Sequence, residues 1–232
     1  MLHKLKIEVC EANLALKEAG LVILTWGNVS ARDPDTGNIV IKPSGVSYDR
    51  MLPEQMVVVT PEGTVIEGDF RPSSDTPTHL VIYSAWPEVG GIVHTHSTHA
   101  TAWAQAWRAL PCYGTTHADN FRGTVPVTEP LTIEQIAGQY EAETGHAILR
   151  AFADRSYMDV PACLVGGHGP FTWGRSAGHA VENSIVLEQV ALTAALAERL
   201  RPETSAIPAA LVDKHFLRKH GPGAYYGQKP QA

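Results

Sequence analysis

The stretch GGIVHTHSTHATAWAQAW, residues 90–107, constrains this chain more than any other. It runs from an apolar, β-branched segment through histidines at 94, 96 and 99 into good helix formers, and Ser97 stands where a helix N-cap belongs. A strand that hands over directly to a helix has to sit in a sheet with helices packed on it. On an extended strand, side chains at i and i+2 share a face, so His94 and His96 present two imidazoles together while Thr95 turns away. That spacing suits a metal ion, and it equally suits two ordinary hydrogen-bonding histidines, so further ligands have to come from elsewhere in the chain. His99 falls in the expected helix and fits such a set less well.

Around this segment the pattern is mixed. Leu2, Leu5, Val9, Ala12 and Leu16 recur at three- and four-residue steps and predict an amphipathic helix ending at Gly20. LVILTW and NIVIKP read as strands around a turn at Asp33 to Gly37, and MVVVTPEGTVIEG reads as a hairpin bending at Pro61 to Gly63. A helix is expected from about Thr76 to Trp86, with Pro77 in its first turn, where the missing N–H costs little. ACLVGGHG reads as a buried strand with a glycine-rich end, and further helices are expected at 132–153, at 176–200 and across DKHFLRKH. The 232 residues hold no repeat, linker or low-complexity tract, so the expectation is one domain, residues 1–232, of the α/β class with one sheet covered by helices.

Composition narrows the function classes. With 44% hydrophobic and 18% charged residues the chain is neither disordered nor collagen-like. Eighteen basic against 24 acidic side chains give a net charge of −6, which provides no basic field for nucleic acid. Cys10, Cys112 and Cys163 form no CxxC pair and no disulfide framework, which fits a reducing cytoplasm. Charges at Lys4, Lys6, Glu8 and Glu11 interrupt any leader-like apolar core, and no run approaches the roughly 18 apolar residues of a membrane span, so no membrane association is expected.

His168 is the best third imidazole, because it follows an apolar strand and two glycines, and strand ends are where sites collect. Asp75, in RPSSDTPTH, is the best carboxylate, although taken alone an Asp before Thr-Pro is better explained as a helix cap. Three neutral imidazoles and a carboxylate would suit Zn²⁺ or Mn²⁺ and leave positions for substrate oxygens. WGNVS at 26–30, KPSG at 42–45 and the SSD run at 73–75 are donor-rich turns able to cradle a phosphate, and each is also ordinary turn chemistry. Tyr225 and Tyr226 near the carboxyl terminus offer phenols for acid–base work, or simply anchor a tail.

Together and in order, WGNVS, KPSGV, SSDTPTH, GGIVHTHSTHA, GTTHAD, GHGPF and DKHFLRKHG…AYYG resemble the L-ribulose-5-phosphate 4-epimerases of the class II sugar-phosphate aldolase/epimerase family. The resemblance implies a three-layer α/β/α fold around a largely antiparallel sheet and a homotetramer with sites between neighbouring subunits. It implies one divalent ion per subunit, zinc first with manganese or cobalt as alternatives, held by Asp75, His94, His96 and His168, with His99 outside the set. Ser44, Gly45, Ser73 and Ser74 match the family's phosphate positions, and Gly27 and Asn28 its substrate-contacting turn. Asp119 and Tyr226 match the acid–base pair, which reaches the metal from the adjacent subunit. The implied substrate is a phosphorylated ketopentose, inverted at C4 by retro-aldol cleavage and re-addition, with a class II aldolase that releases the aldehyde as the alternative. Two features bear on the branch. Fuculose-phosphate-type aldolases carry Glu where this chain has Asp75, and epimerases often carry a histidine two residues before His168, where this chain has Gly166-Gly167.

Overall fold

The computed structural model describes residues 2–227; Met1 and residues 228–232 lie outside the described residues. Helix α1 (Leu2–Glu18) forms as expected and stops in a glycine cap. Gly20 adopts φ 71°, Gly20 N–H donates to Lys17 O and Leu21 N–H to Leu16 O, which closes the last turn and buries Leu16 and Leu21.

Strands β1 (Asn28–Arg32), β2 (Ile39–Ile41), β3 (Val57–Val59), β4 (Val65–Glu67), β5 (Gly91–His94), β6 (Ala162–Leu164) and β7 (Pro170–Gly174) make one sheet in the order β4-β3-β2-β1-β5-β7-β6. All its pairings are antiparallel. The remaining helices are α2 (Thr76–Ala85), α3 (Thr98–Gln105), α4 (Thr115–Ala118), α5 (Ile133–Ala137), α6 (Tyr140–Ala151), α7 (Ala177–Leu200) and α8 (Ala209–His220).

Strand alternation divides the core. Ile39, Ile41, Val57, Val59 and Ile92 pack with Ile82, Tyr83 and Trp86 of α2, whereas Val29, Ala31, Val40, Val58 and Val93 pack with Val9 and Leu16 of α1. Helix α7 joins both clusters, with Ala177, Ala180 and Val181 in the second and Leu187, Val190 and Ala191 in the first. The result is the three-layer α/β/α arrangement around an antiparallel sheet. Helix α7 is long and apolar enough to cross a bilayer, but here it lies against β5, β7, α1 and α3.

Four expectations need correction. LVILTW is not a strand: Leu24 sits at φ 57° and Gly27 at φ 79°, and the strand begins only at Asn28. His96 lies two residues beyond the end of β5, so the shared strand face does not account for its position. The expected helix at 132–153 is two helices broken at Gly138, whose ψ of −118° is not helical. Ser97 occupies the N-cap of α3 without capping it through its side chain; the Glu188 carboxylate of α7 accepts the His99 and Ala100 N–H groups instead, at 2.9 and 3.0 Å.

Candidate active site

Strand β5 ends at His94 and the β6–β7 turn carries His168, so two neighbouring strands deliver imidazoles to the same end of the sheet. Thr95 N–H donates to Pro170 O at 3.3 Å, which carries the pairing past His94 and keeps His96 beside the turn. Gly169 has to be glycine: a Cβ there would stand 2.7 Å from Thr95 O and 3.5 Å from both the His94 and the His96 rings.

Ligand nitrogens of His94, His96 and His168 all lie within 4.8 Å of one another. Nδ1 of His94 is 3.0 Å from Pro170 O, and a carbonyl only accepts, so the proton is on Nδ1 and Nε2 presents its lone pair. That lone pair faces His96 Nε2 at 3.1 Å. Burial pushes His94 down to about 3 and also lowers His96 and His168, so all three rings are kept neutral, as ligands must be. Phe171 stacks on His94 at 4.2 Å between ring centroids, and the Tyr140 hydroxyl lies 3.4 Å from His168 Nδ1.

Asp75 lies in the N-cap position of α2 but makes no side-chain capping bond. Its carboxylate instead accepts from Asn28 Nδ2 at 2.7 Å, and the same amide reaches Ser73 Oγ at 3.0 Å. Burial raises the Asp75 carboxyl, but its coupling to the surrounding histidines and the hydrogen bond from Asn28 outweigh it, leaving the group below its ordinary value. The three imidazole nitrogens are a group that could hold a divalent cation with open positions; Asp75 lines the same cavity but is not one of the groups gathered within 4.8 Å of one another.

These residues form one wall of a cavity of about 350 Å³. Gly27, Asn28, Ser44, Gly45, Ser73 and Ser74 line the rest of it, with Thr25, Trp26, Lys42 and Pro43. The two serine loops lie side by side because Ser44 N–H donates to Arg71 O at 2.9 Å and Ser73 N–H to Lys42 O at 3.0 Å. Gly27 is fixed by a positive φ and by a Cβ site 2.9 Å from His94 O.

Lys42 is the residue that motif reading undervalued, although KPSG contains it. Its ammonium is buried, and among the described residues it meets only the carbonyls of Thr25 (3.2 Å) and Pro43 (3.4 Å) and the face of Tyr48 at 5.0 Å. Burial without a counter-ion pulls it down to about 8. The signal in the sequence was a lysine ending the apolar strand NIVIK.

Asp119 and Tyr226 are not in this cavity. Asp119 caps the end of α4 and accepts from Arg218 Nε (3.0 Å), Arg218 Nη2 (2.8 Å) and His215 Nδ1 (3.1 Å), all from α8. Burial raises its carboxyl, but the Arg218 and His215 hydrogen bonds prevail and hold it below the ordinary value. The Arg218 guanidinium lies over the ring of Tyr226, 5.2 Å from its centroid, and Tyr226 is exposed. The two therefore share an arginine on one surface of the chain. His99 also stays outside the imidazole cluster, with Nδ1 2.7 Å from Glu188.

Residues 7–195 match the class II aldolase and adducin N-terminal domain. The chain belongs to this family. Its fold matches an L-fuculose 1-phosphate aldolase with a TM-score of 0.78 and 25% identity, over 91% of this chain and 94% of that one. An L-fuculose 1-phosphate aldolase from Glaciozyma antarctica aligns with a TM-score of 0.75 and 23% identity, over 92% of this chain and 80% of that one. An l-fuculose-1-phosphate aldolase from Thermus thermophilus gives 0.68 and 24%, over 88% and 98%. Membership of the class II aldolase family makes this a sugar-phosphate enzyme type, and the histidine triad suits the divalent-metal dependence of class II aldolases.

Proposed function

We propose that the protein is an L-ribulose-5-phosphate 4-epimerase, interconverting L-ribulose 5-phosphate and D-xylulose 5-phosphate by retro-aldol cleavage and re-addition. The observation that carries this reading is the pairing of Asp119 and Tyr226 over Arg218, apart from the cavity of their own chain. An aldehyde that turns over between cleavage and re-addition presents its oxygen in two directions, so an epimerase needs two separate acid–base groups, and a carboxylate with a phenol supplies them. In a homotetramer the pair reaches the cavity of the adjacent subunit.

In this reading Asp75, His94, His96 and His168 hold the ion, zinc, manganese or cobalt, and a bound divalent ion supplies Lewis acidity toward substrate oxygens. Ser44, Gly45, Ser73 and Ser74 donate to the phosphate, and the Lys42 cation offsets its charge. Gly27 and Asn28 border the ketose. One of Asp119 and Tyr226 takes the C4 hydroxyl proton as the C3–C4 bond breaks, giving glycolaldehyde phosphate and the enediolate of dihydroxyacetone. After the aldehyde turns, the C3–C4 bond re-forms and the other group returns a proton to the new C4 oxygen. Because the phosphate stays held, re-addition is effectively intramolecular. Three free, buried cysteines support a cytoplasmic setting.

A class II aldolase that releases its aldehyde is the second reading, favoured by the likeness to L-fuculose 1-phosphate aldolase. Incubation of the zinc-loaded protein with L-ribulose 5-phosphate separates them. D-xylulose 5-phosphate accumulates under the first reading; free glycolaldehyde phosphate in step with substrate loss, or cleavage of L-fuculose 1-phosphate alone, establishes the second.

A further inference from the structure

The turn that brings Thr25, Trp26 and Gly27 to the cavity is not held by apolar packing. Ile23, Leu24 and Trp26 are exposed, and Leu24 sits at φ 57°, a conformation that costs any residue with a Cβ. What the turn has instead is a set of hydrogen-bonded carbonyls. Trp26 N–H donates to Ile23 O at 3.1 Å, Lys42 Nζ to Thr25 O at 3.2 Å, and the Tyr48 hydroxyl lies 2.9 Å from both Trp26 O and Gly27 O. Consecutive carbonyls can converge on one hydroxyl only where the chain leaves the extended form between them, and Gly27, at φ 79°, is that residue.

Tyr48 is a firm anchor for this contact. It starts a single 3₁₀ turn, Tyr48–Arg50, just after the KPSG loop, and it is buried in the cluster that holds Val40, Met51, Met56 and Val58. The Lys42 ammonium lies over its ring, 5.0 Å from the centroid, so the two residues reach the turn together. Burial pushes the Tyr48 phenol well above its ordinary value, so the hydroxyl keeps its proton and acts as a donor.

We infer that Tyr48 is a positioning residue of the cavity: its hydroxyl pins the Trp26 and Gly27 carbonyls and so keeps the turn at 23–27, against the strain at Leu24, in the shape that lines the substrate's site. Asn28, the next residue, is placed by the sheet through its pairing with His94, and the imidazoles come from other segments, so neither depends on the clamp. This inference rests on the reading of the cavity as the ketose-phosphate site.

The test is Tyr48→Phe, which removes the hydroxyl and keeps the ring, in the zinc-loaded full chain. The readouts are amide hydrogen exchange across residues 22–28, zinc affinity by competition with a chromophoric chelator, and kcat/KM for L-ribulose 5-phosphate. The expected result is exchange at Trp26 and Gly27 faster by about 10-fold or more, kcat/KM lower by about 10-fold or more, and zinc affinity within about 3-fold of the unsubstituted protein. Adding Leu24→Gly, which removes the cost of the left-handed conformation, should restore most of the protection and of the rate. A tyrosine that only filled the core would change stability but not the local exchange, and would not respond to Leu24. Unchanged exchange in Tyr48→Phe overturns the inference, as does faster exchange with kcat/KM intact, or defects that Leu24→Gly leaves as they are. In the unsubstituted protein the Tyr48 hydroxyl proton should be protected from solvent exchange; a hydroxyl that exchanges as in free tyrosine overturns the inference even where the variant does not fold. No turnover of L-ribulose 5-phosphate by the unsubstituted protein overturns the function reading instead, and the exchange measurements still decide whether Tyr48 holds the turn.

Discussion

The indole of Trp107 occupies the space that a side chain at Gly166 would need: a Cβ built there stands 2.2 Å from the ring. Trp107, two residues past the end of α3, sits at φ 54°, the left-handed conformation usually left to glycine, with its N–H on Ala104 O and that of Arg108 on Trp103 O. Gly167 N–H also reaches Ala104 O, at 3.0 Å, so the end of α3 and the loop carrying His168 are locked together. The glycine pair before His168 is thus a platform for an aromatic ring. Gly166→Ala is expected to destabilise the metal-free protein by about 1–3 kcal/mol through overpacking, and to weaken zinc binding by displacing His168. Trp107→Gly in the same chain should restore much of the stability. Thermal unfolding and zinc titration check this, and a Gly166→Ala protein matching the parent in both would refute the lock.

Lys42 predicts two opposite pH effects in one window. Its folded-state value of about 8 lies below the ordinary lysine value, so between about 8 and about 10.4 the unfolded chain binds a proton that the folded chain does not. The contribution of Lys42 to stability is therefore least favourable below about 8 and rises with pH through this window. Its attraction for a phosphate dianion runs the other way and is lost as pH rises through about 8. The kcat/KM of the free enzyme should fall on that limb while the Lys42 contribution to stability of the ligand-free protein increases. Lys42→Met should flatten both differences and raise KM. Rate profiles and urea unfolding from pH 7 to 10 test it.

Metal removal should be visible without turnover. With His94 and His96 nitrogens 3.1 Å apart beside a carboxylate, a chelator is expected to lower the melting temperature and abolish activity, and zinc, manganese or cobalt to restore both. His96→Asn should lose metal occupancy and rate together. Full activity after exhaustive chelation, confirmed by elemental analysis, would remove the metal from the reaction.

Much of the fold was legible because its signals are local. The Gly20 cap, the hairpin at Pro61 to Gly63 and the Pro77 helix start each follow from a few adjacent residues. LVILTW misled because apolar runs do not reveal backbone hand, and here Leu24 and Gly27 turn the chain so that Trp26 can line the cavity. At the site, motifs identified the residues that line the cavity but not how they are held. That Asn28 restrains Asp75, that Glu188 caps α3, and that Lys42 is buried without a counter-ion are relations between segments distant in sequence, which no single window contains.

The acid–base candidates can be separated from the ion. Asp119→Asn and Tyr226→Phe are each expected to lower turnover by about 10²-fold or more, with zinc content unchanged, because neither touches the imidazole cluster of its own chain. The assay is steady-state turnover beside elemental analysis. Unchanged turnover in either variant removes that residue from the chemistry, and loss of zinc would mean that it acts through the metal instead.

Whether those groups serve a neighbouring copy is open to a mixing experiment. In one chain the cavity carries His94, His96 and His168, whereas Asp119 and Tyr226 gather around Arg218 outside it. If each complete site combines the cavity of one subunit with the Asp119 surface of the next, Asp119→Asn chains keep good cavities and His96→Asn chains keep good Asp119 surfaces. Neither variant alone has an intact site. Co-assembled in equal amounts, a site is whole when its cavity comes from the first and its neighbour is the second, which random mixing gives for about a quarter of sites in a closed ring. Activity should therefore rise from near zero to about a quarter of that of the unsubstituted protein on co-expression, and stay near zero when the two are purified apart and mixed without exchange. No recovery in co-assembled oligomers, with both chains verified by mass spectrometry, would place the acid–base groups and the ion in the same subunit, or exclude Asp119 from the site.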